Sequence, residues 1–289
     1  RARAAGSADP AVDRFLIEGL FITVTNVNFD VDRVVEFVRQ ADAMTDAAAA
    51  AAGVDRQDAE LPDPVRFRTA GLCVGELIAE AQRHPITGFH SDADIQSLIQ
   101  LLTYGLKGLA AYAEHAAVLG ATDTGIFAFI GEAMAALLRT DLTVDEMVGL
   151  NLRCGEVNIR CMELLNEAHV DRFGKPEPTS VSTGTVAGPA IVVSGHDLFM
   201  LDKLLDQCDA AGVKVYTHGE MLPAHGYPKL KAHPSLAGHF GTAWQNQQRE
   251  FDGQPAAFIF NTNCIQEPRA SYADQVFTTS VVGWPGAQH

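Results

Sequence analysis

The hydrophobic pattern of the chain changes at a pair of closely spaced prolines, Pro176 and Pro178. Before them, apolar residues recur about every three to four positions, which is typical of helices packed against a core. After them, the pattern changes to short runs rich in β-branched residues. Two neighbouring prolines end a helix, because proline lacks an N–H donor and its ring collides with the preceding turn. The sequence therefore predicts a helical domain over residues 1–180 and an α/β domain over residues 181–289.

The first domain is predicted from segments with helical periodicity. These segments are residues 30–52, 64–82, 92–120, 125–139 and 143–168. The third is the clearest, because its apolar residues form one stripe: Ile95, Leu98, Ile99, Leu102, Leu106 and Leu109. Helices of these lengths with one apolar face suit an antiparallel bundle. The thiols expected to pack in hydrophobic cores, as small apolar side chains, are those of Cys73, Cys154, Cys161 and Cys208.

The second domain is predicted from a strand–helix–strand unit. Residues 190–193 form a buried strand, Asp197 caps the following helix and Gly212 ends it. The next strand, residues 213–216, runs parallel to the first after a right-handed crossover. Further strands are predicted at residues 257–261 and 276–282. The predicted fold class is therefore multi-domain α and α/β, with an N-terminal helical bundle followed by an incomplete, Rossmann-like parallel α/β domain.

Chemically active residues follow the predicted strands. His196 comes after the first strand, Glu220 after the second, and Cys264 after the strand that begins at residue 257. Ligands of open parallel sheets bind outside the carboxyl ends of the strands, so these three side chains are expected to converge. An imidazole, a carboxylate and a thiolate together suit iron, zinc or copper. Each residue alone also has a plainer interpretation, as a helix cap, a solvated loop acid and a packed thiol.

The histidine-rich stretch after the second strand admits other interpretations. His218 and Glu220 match the first half of the zinc deaminase signature, but the Pro-Cys-x-x-Cys half is absent. His218 and His225 do not have the His-Glu-x-x-His spacing of zinc proteases. His218, His225, His233 and His239 are either hydrogen-bond partners of metal ligands or solvated loop residues. The loop interpretation is preferred for His233 and His239.

Charge and cysteine content exclude some partners and environments. The net charge of −15 argues against nucleic acid or an anionic membrane as a partner, because both require a basic face. No apolar run is long enough for a membrane-spanning helix, and residues 1–10 lack the apolar region of a signal peptide. The five cysteines are odd in number and widely spaced, so we expect no disulfide framework and a cytoplasmic location.

Several long blocks of the sequence resemble the hybrid-cluster protein family, also called the prismane or hydroxylamine reductase family. The most specific block is residues 215–228, which read Val-Tyr-Thr-His-Gly-Glu-Met-Leu-Pro-Ala-His-Gly-Tyr-Pro. Other similar blocks are residues 25–30, 104–108, 193–198, 244–248, 262–265 and 281–286. The resemblance extends over nearly the whole chain.

This resemblance implies a function and a ligand set. His196, Glu220 and Cys264 match family residues that bind a hybrid iron–sulfur–oxygen cluster (4Fe-2O-2S), and His196 and Glu220 are also expected to be catalytic. The implied enzyme reduces hydroxylamine to ammonia and also nitric oxide to nitrous oxide. Its partners would be a small nitrogen-oxide substrate and an electron-donor protein. Glu220, a labile hard ligand, is hypothesised to shift and open an iron site.

Two parts of the family pattern are missing from this sequence. One is a cysteine-rich motif that binds a second, conventional iron–sulfur cluster. The other is a set of three further cysteines and a glutamate that completes the hybrid cluster and follows the Trp-Pro-Gly motif ending at Gly286. The chain is therefore expected to be a fragment lacking both ends. Two alternatives remain open: a metalloenzyme similar to carbon monoxide dehydrogenase, and a non-catalytic remnant without a cluster.

Overall fold

The computed structural model describes residues 2–3, 6 and 8–289. Contacts between residues divide the chain into two compact units. Unit 1 consists of Arg1–Phe21, Val31–Glu114 and Thr122–Met162, and unit 2 consists of Ile22–Asp30, His115–Ala121 and Glu163–His289. The units follow contacts and not sequence order, so the domain boundary between residues 180 and 181 stays a prediction. In the described residues, no helix is both long and apolar enough to cross a membrane.

The part of the chain before the two prolines is helical, as its periodicity predicts. Its helices are α1 (Pro10–Ile22), α2 (Val31–Ala51), α3 (Asp63–Arg66), α4 (Val74–Arg83), α5 (Ala93–Val118), α6 (Thr124–Ala136) and α7 (Val144–Phe173). The predicted stripe on α5 is confirmed: Ile95, Ile99, Leu102, Leu106 and Leu109 are buried, and only Leu98 is half-buried. Cys154 and Cys161 are buried on α7, also as predicted.

The single helix predicted over residues 64–82 is wrong, because the chain is interrupted between α3 and α4. The Arg56 guanidinium donates to the carbonyl oxygens of Val65 and Phe67, at 2.7 and 2.6 Å. In a continuous helix, the backbone N–H of Thr69 would bond to the Val65 carbonyl. Here that N–H donates to the Asp42 carboxylate instead, at 2.8 Å. A buried arginine from elsewhere in the sequence therefore takes the place of helical hydrogen bonds.

Cys73 is also not the core residue that the sequence predicts. Its side chain is exposed, and the residue stands at the N-cap of α4. The Glu76 carboxylate accepts a hydrogen bond from the Cys73 backbone N–H at 2.8 Å, which completes a capping box. Residues at a helix start are oriented by capping contacts and not by the apolar stripe, so periodicity alone misplaces them.

The rest of the chain forms the predicted α/β architecture, which lies in unit 2. Its elements are β1 (Ala190–Ser194), α8 (Leu198–Ala211), β2 (Lys214–His218), α9 (Pro228–Lys231), β3 (Leu236–His239), α10 (Gln247–Glu250), β4 (Ala257–Phe260) and β5 (Val276–Thr278). Asp197 caps α8 by accepting from the Met200 backbone N–H at 2.9 Å. Gly212 ends α8 in the left-handed conformation, with φ 69°. Both capping predictions are confirmed.

The sheet of unit 2 is parallel and has the strand order β3-β2-β1-β4-β5. Successive residues of its strands face opposite sides, so Val193 packs with α8 in one core and Val192 packs with Phe258 in another. The order changes direction between β1 and β4, because β2 and β3 lie on one side of β1 and β4 and β5 lie on the other. Such a switch point leaves a crevice at the carboxyl ends of the two strands.

Two features of the sheet differ from expectation. β3 is not predicted from the sequence, since it is a four-residue edge strand that contains Gly238. β5 ends at Thr278, whereas the sequence predicts a strand through residue 282. Residues 281–283 pair instead with an earlier part of unit 2: Asn28 forms a parallel bridge with Gly283, and its amide donates to the Val281 carbonyl at 3.0 Å.

Candidate metal centre

His196 is carried by a tight turn at the carboxyl end of β1. The turn begins at Gly195, whose φ is 132° and where a Cβ would overlap the Asn261 side chain, so only glycine fits. The Asn261 Oδ1 accepts from the backbone N–H of His196 at 3.1 Å and of Asp197 at 3.3 Å. Its amide nitrogen donates to the Asp197 carbonyl at 2.9 Å. One buried amide therefore fixes the backbone that presents the imidazole.

Both ring nitrogens of His196 have a hydrogen-bond partner. Nε2 lies 2.8 Å from Glu220 Oε2, and Nδ1 lies 2.9 Å from Thr262 Oγ1. Because an ionised carboxylate only accepts, the neutral ring carries its proton on Nε2 and its Nδ1 accepts from the Thr262 hydroxyl. Bound to a metal through Nε2, the ring would carry its proton on Nδ1 and donate it to Thr262. The hydroxyl can serve either tautomer, because it both donates and accepts.

Glu220 comes from the 3₁₀ helix Gly219–Gly226 that follows β2. Its side chain is 55% exposed, compared with 31% for His196. The hydrogen bond from the Cys264 thiol lowers the pKa of Glu220, burial opposes this effect, and the hydrogen bond from His196 adds to it. The carboxylate is therefore ionised and is the most accessible of the three groups.

Cys264 lies in the loop after β4 and has a backbone conformation that is rare for a residue with a side chain, with φ 78°. It is 7% exposed, and its Sγ donates to Glu220 Oε2 at 3.2 Å. Burial and the neighbouring Glu220 carboxylate raise the pKa of the Cys264 thiol to about 12. The group is consequently a thiol at neutral pH, and a cation must displace its proton to bind the sulfur.

The sequence prediction that these three side chains meet is confirmed by their positions. The His196 nitrogen, the Glu220 oxygen and the Cys264 sulfur lie within 4.8 Å of one another. Glu220 accepts hydrogen bonds from both of the others, so two protons occupy the space between the donor atoms. A metal ion in that space would replace both protons. The donor set of one nitrogen, one oxygen and one sulfur fits part of the shell of an iron–sulfur–oxygen cluster.

Three other histidines of this part of the chain, His218, His225 and His239, are not members of the donor group and have other partners. His218 is buried, and its Nε2 lies 2.9 Å from the Glu250 carboxylate. His225 Nε2 and His239 Nδ1 both lie 2.9 Å from Thr217 Oγ1. His239 is 8% exposed at the end of β3, so its interpretation as a solvated loop residue is wrong.

His233 lies farther along the same stretch and is half-buried. Its Nδ1 is 2.7 Å from Asp209. His233 is thus better described as a hydrogen-bond partner of Asp209 on α8 than as a solvated loop residue.

Protonation of His225 is expected to reduce the stability of the fold in mild acid. Burial, followed by the charge of Lys231, lowers the pKa of His225 to about 4. Between pH 6.5 and pH 4 the unfolded chain therefore binds a proton that the folded chain excludes, and stability falls as the pH falls. Near pH 5 the slope of unfolding free energy against pH should be about 1.4 kcal/mol per unit smaller in His225→Gln. Urea unfolding at several pH values measures this slope, and equal slopes in the two proteins would contradict the expectation.

Three side chains that support the site, those of Asn261, Thr262 and Gln247, are not identified from the sequence by their chemistry. Asn261 and Thr262 lie between the predicted strand and Cys264, so their nearness to the end of that strand is the one feature of the sequence that marks them. Gln247 belongs to block 244–248, which resembles the family, but no periodicity or motif marks it as a site residue.

Cys208, predicted to be a core residue, is buried among apolar side chains of α8 and the sheet.

The amino-acid sequence of the chain is similar to those of known proteins. The sequence profile of the Prismane/CO dehydrogenase family matches residues 1–289. The chain is 47% identical over 296 residues to the hydroxylamine reductase of Geobacter sulfurreducens and 46% identical over 295 residues to that of Geobacter metallireducens. It is 47% identical over 290 residues to the hydroxylamine reductase of Solidesulfovibrio magneticus. These alignments cover 100% of this chain and 53% or 54% of each relative, so the chain spans about half their length.

Proposed function

The chain belongs to the Prismane/CO dehydrogenase family, and we propose on this basis that it provides part of the active centre of an iron–sulfur oxidoreductase. The proposed reaction is the reduction of hydroxylamine to ammonia, which consumes electrons and protons and releases water. The observation that carries the proposal is the convergence of His196, Glu220 and Cys264 at the switch point of the sheet. These residues would hold part of a hybrid iron–sulfur–oxygen cluster, with the remaining ligands supplied by residues outside the group. When bound, such a cluster supplies electrons and open iron sites.

The three side chains differ in how firmly the surrounding residues hold them. This difference suggests that they have different roles at the centre. His196 is fixed through its backbone by Asn261 and through its ring by Thr262. Cys264 is buried, which shields its sulfur from water and oxidants. Glu220 is the most exposed, so water can hydrate its carboxylate when it rotates away from His196 and Cys264. Glu220 is thus the group expected to move when a small substrate approaches.

Reconstitution tests this function directly. We expect the full-length protein that contains this chain, purified anaerobically and supplied with iron and sulfide, to bind iron and to oxidise reduced viologen in the presence of hydroxylamine with release of ammonia. Nitric oxide in place of hydroxylamine tests the further reaction to nitrous oxide. Oxidation of carbon monoxide without reduction of hydroxylamine would favour the carbon monoxide dehydrogenase alternative. Bound iron without either activity in the full-length protein would contradict the reductase function, and a full-length protein that binds no iron would favour the remnant alternative.

Thr262 is expected to set the orientation and tautomer of His196. Replacement by Val keeps the shape of the side chain but removes the hydroxyl that lies 2.9 Å from Nδ1. Loss of such a partner typically weakens metal affinity by about 10–100-fold, and we expect a loss of this size for Zn²⁺ in Thr262→Val. Competition with a chromophoric chelator measures the affinity.

Thr279→Val is the matched control for this substitution. The Thr279 hydroxyl is buried and has no hydrogen-bond partner among the described residues, so its removal breaks no contact of the kind that Thr262 makes. Its Zn²⁺ affinity should stay within about twofold of the unchanged chain. Equal affinities of the two threonine variants would show that the Thr262 hydroxyl has no part in the centre.

A further inference from the structure

Gln247 is a buried polar residue that lies behind the candidate metal centre. It begins the short helix α10, and it is 1% exposed although its side chain carries an uncharged amide. A buried amide is retained at low energetic cost only when its donors and its acceptor are all paired. The partners of Gln247 therefore indicate what the residue stabilises.

All three contacts of this amide are with segments that carry the proposed ligands. Its Nε2 donates to the Cys264 carbonyl at 2.5 Å and to Ser194 Oγ at 3.4 Å. Its Oε1 accepts from the Gln266 backbone N–H at 3.2 Å. Ser194 is the last residue of β1, two positions before His196. The Gln247 side chain thus links the end of β1, which leads to His196, to the Cys264 carbonyl and the Gln266 N–H, which lie on either side of Ile265.

The Cys264 segment needs such external support, because Cys264 has φ 78° and is not glycine. A residue with a Cβ keeps a left-handed conformation only where its surroundings fix it. Gln247 binds the carbonyl of Cys264 on one side, and the Asn26 carbonyl accepts from the Ile265 N–H at 3.3 Å on the other. In this fixed conformation Sγ lies 3.2 Å from Glu220.

We propose that Gln247 is a positioning residue, whose amide holds the Cys264 backbone left-handed so that the thiol faces His196 and Glu220. The inference rests on the proposed function only in treating Cys264 as a metal ligand. The contacts themselves make a prediction that involves no metal. Without the amide, the Cys264 loop loses its two hydrogen bonds to Gln247 and opens more often than the core beside it.

Alkylation of the metal-free chain tests this prediction without any ligand. Iodoacetamide modification is followed at single cysteines by mass spectrometry, with Cys208 as the internal reference because it is buried in the same unit. In Gln247→Met we expect the ratio of the Cys264 rate to the Cys208 rate to rise about tenfold or more. If the substitution only destabilised the whole unit, the alkylation rates of both thiols would rise equally and their ratio would stay unchanged. That result would overturn the proposal.

Gln248→Met is the matched control for this variant. Gln248 is the next residue on α10, is half-buried, and donates to the Glu267 carbonyl at 2.8 Å. Its replacement also removes a glutamine-to-backbone hydrogen bond to the loop after Cys264, yet it leaves the Cys264 peptide untouched. The rate ratio should remain within about twofold of that of the unchanged chain. If Gln247→Met fails to fold, Gln247→Glu is used, which keeps the length but places an acceptor against the Cys264 carbonyl.

A second measurement links the positioning to metal binding and separates the two proposals. Co²⁺ is titrated into the chain, and its thiolate-to-cobalt absorption band is recorded. We expect about 10–100-fold weaker binding and a weaker band in Gln247→Met. In a Cys264→Ala background the same substitution should change affinity less than threefold, because Gln247 acts through Cys264.

Each outcome of the cobalt titration decides one of the two proposals. An equal loss of affinity with and without Cys264 would overturn the positioning role. A chain that binds no Co²⁺ but shows the altered alkylation ratio would contradict the proposed function and leave the positioning role standing.

Discussion

The Cys264→Ala variant should bind Zn²⁺ at least about 100-fold more weakly than the unchanged chain. Loss of a hydrogen-bond partner of a metal ligand already weakens affinity by about 10–100-fold, and loss of a ligand must exceed that. Cys264 supplies the soft donor of the group, and without it an imidazole and a half-exposed carboxylate remain. In the unchanged chain, metal binding must also displace the proton of the Cys264 thiol, and the substitution removes this free-energy cost. The cost is smaller than the free energy gained from the metal–sulfur bond, so the net effect is still a loss of affinity. Zn²⁺ affinity is measured by competition with a chromophoric chelator.

Cys208→Ala provides the control for this measurement. Cys208 is a buried thiol of the same unit that packs in the core between α8 and the sheet. Its replacement removes a similar volume and the same functional group, but no donor atom of the candidate centre. An affinity loss of similar size in both variants would mean that Zn²⁺ binding depends on the fold as a whole and not on Cys264.

Replacement of Arg56 by Met should destabilise unit 1 by about 3–5 kcal/mol, the range found when one partner of a buried ion pair is removed. The Arg56 side chain is 3% exposed, and its Nη1 lies 2.8 Å from both Asp42 and Asp46. It also donates to the carbonyl oxygens of Val65 and Phe67. Met fills a similar volume but leaves the two carbonyls without this donor, and the largely buried Asp42 carboxylate keeps its hydrogen bonds from Thr69 but loses its ion pair with Arg56. Urea unfolding monitored by circular dichroism gives the change in unfolding free energy.

Arg68→Met is the control for the Arg56 variant. Arg68 pairs with the same two aspartates, but its side chain is 37% exposed. Solvent screens such pairs, and their loss typically costs less than about 1 kcal/mol. If the two arginine variants lose equal stability, burial does not determine the role of Arg56, and the explanation of the break between α3 and α4 fails with it.

The parts of the fold that the sequence predicts are those set by local periodicity and capping. The α5 stripe, the Asp197 cap and the Gly212 terminus follow from spacing within a few residues. The break after α3 does not, because it depends on Arg56, which is nine residues from Val65 and fourteen from Asp42. The short edge strand β3 is likewise defined by pairing with β2, which no local pattern displays.

The residues of the candidate site also fall into those that the sequence predicts and those that only the structure identifies. The rule that ligands gather at the carboxyl ends of parallel strands selects His196, Glu220 and Cys264 from the amino-acid sequence alone. The side chains that hold them in place, Asn261 and Gln247, form hydrogen bonds with His196 and Cys264 across 65 and 17 residues of sequence, respectively. The sequence does not indicate whether an asparagine or glutamine side chain is buried. Such positioning residues are therefore identified only from the three-dimensional structure.

X-ray absorption at the zinc K-edge tests most directly whether His196, Glu220 and Cys264 form one metal centre. For the chain loaded with one equivalent of Zn²⁺, we expect one sulfur neighbour at about 2.3 Å and nitrogen or oxygen neighbours at about 2.0–2.2 Å. The sulfur contribution should vanish in Cys264→Ala and persist in Cys208→Ala. A first shell of oxygen and nitrogen alone, or a sulfur neighbour that survives the removal of Cys264, would contradict the assignment of this centre.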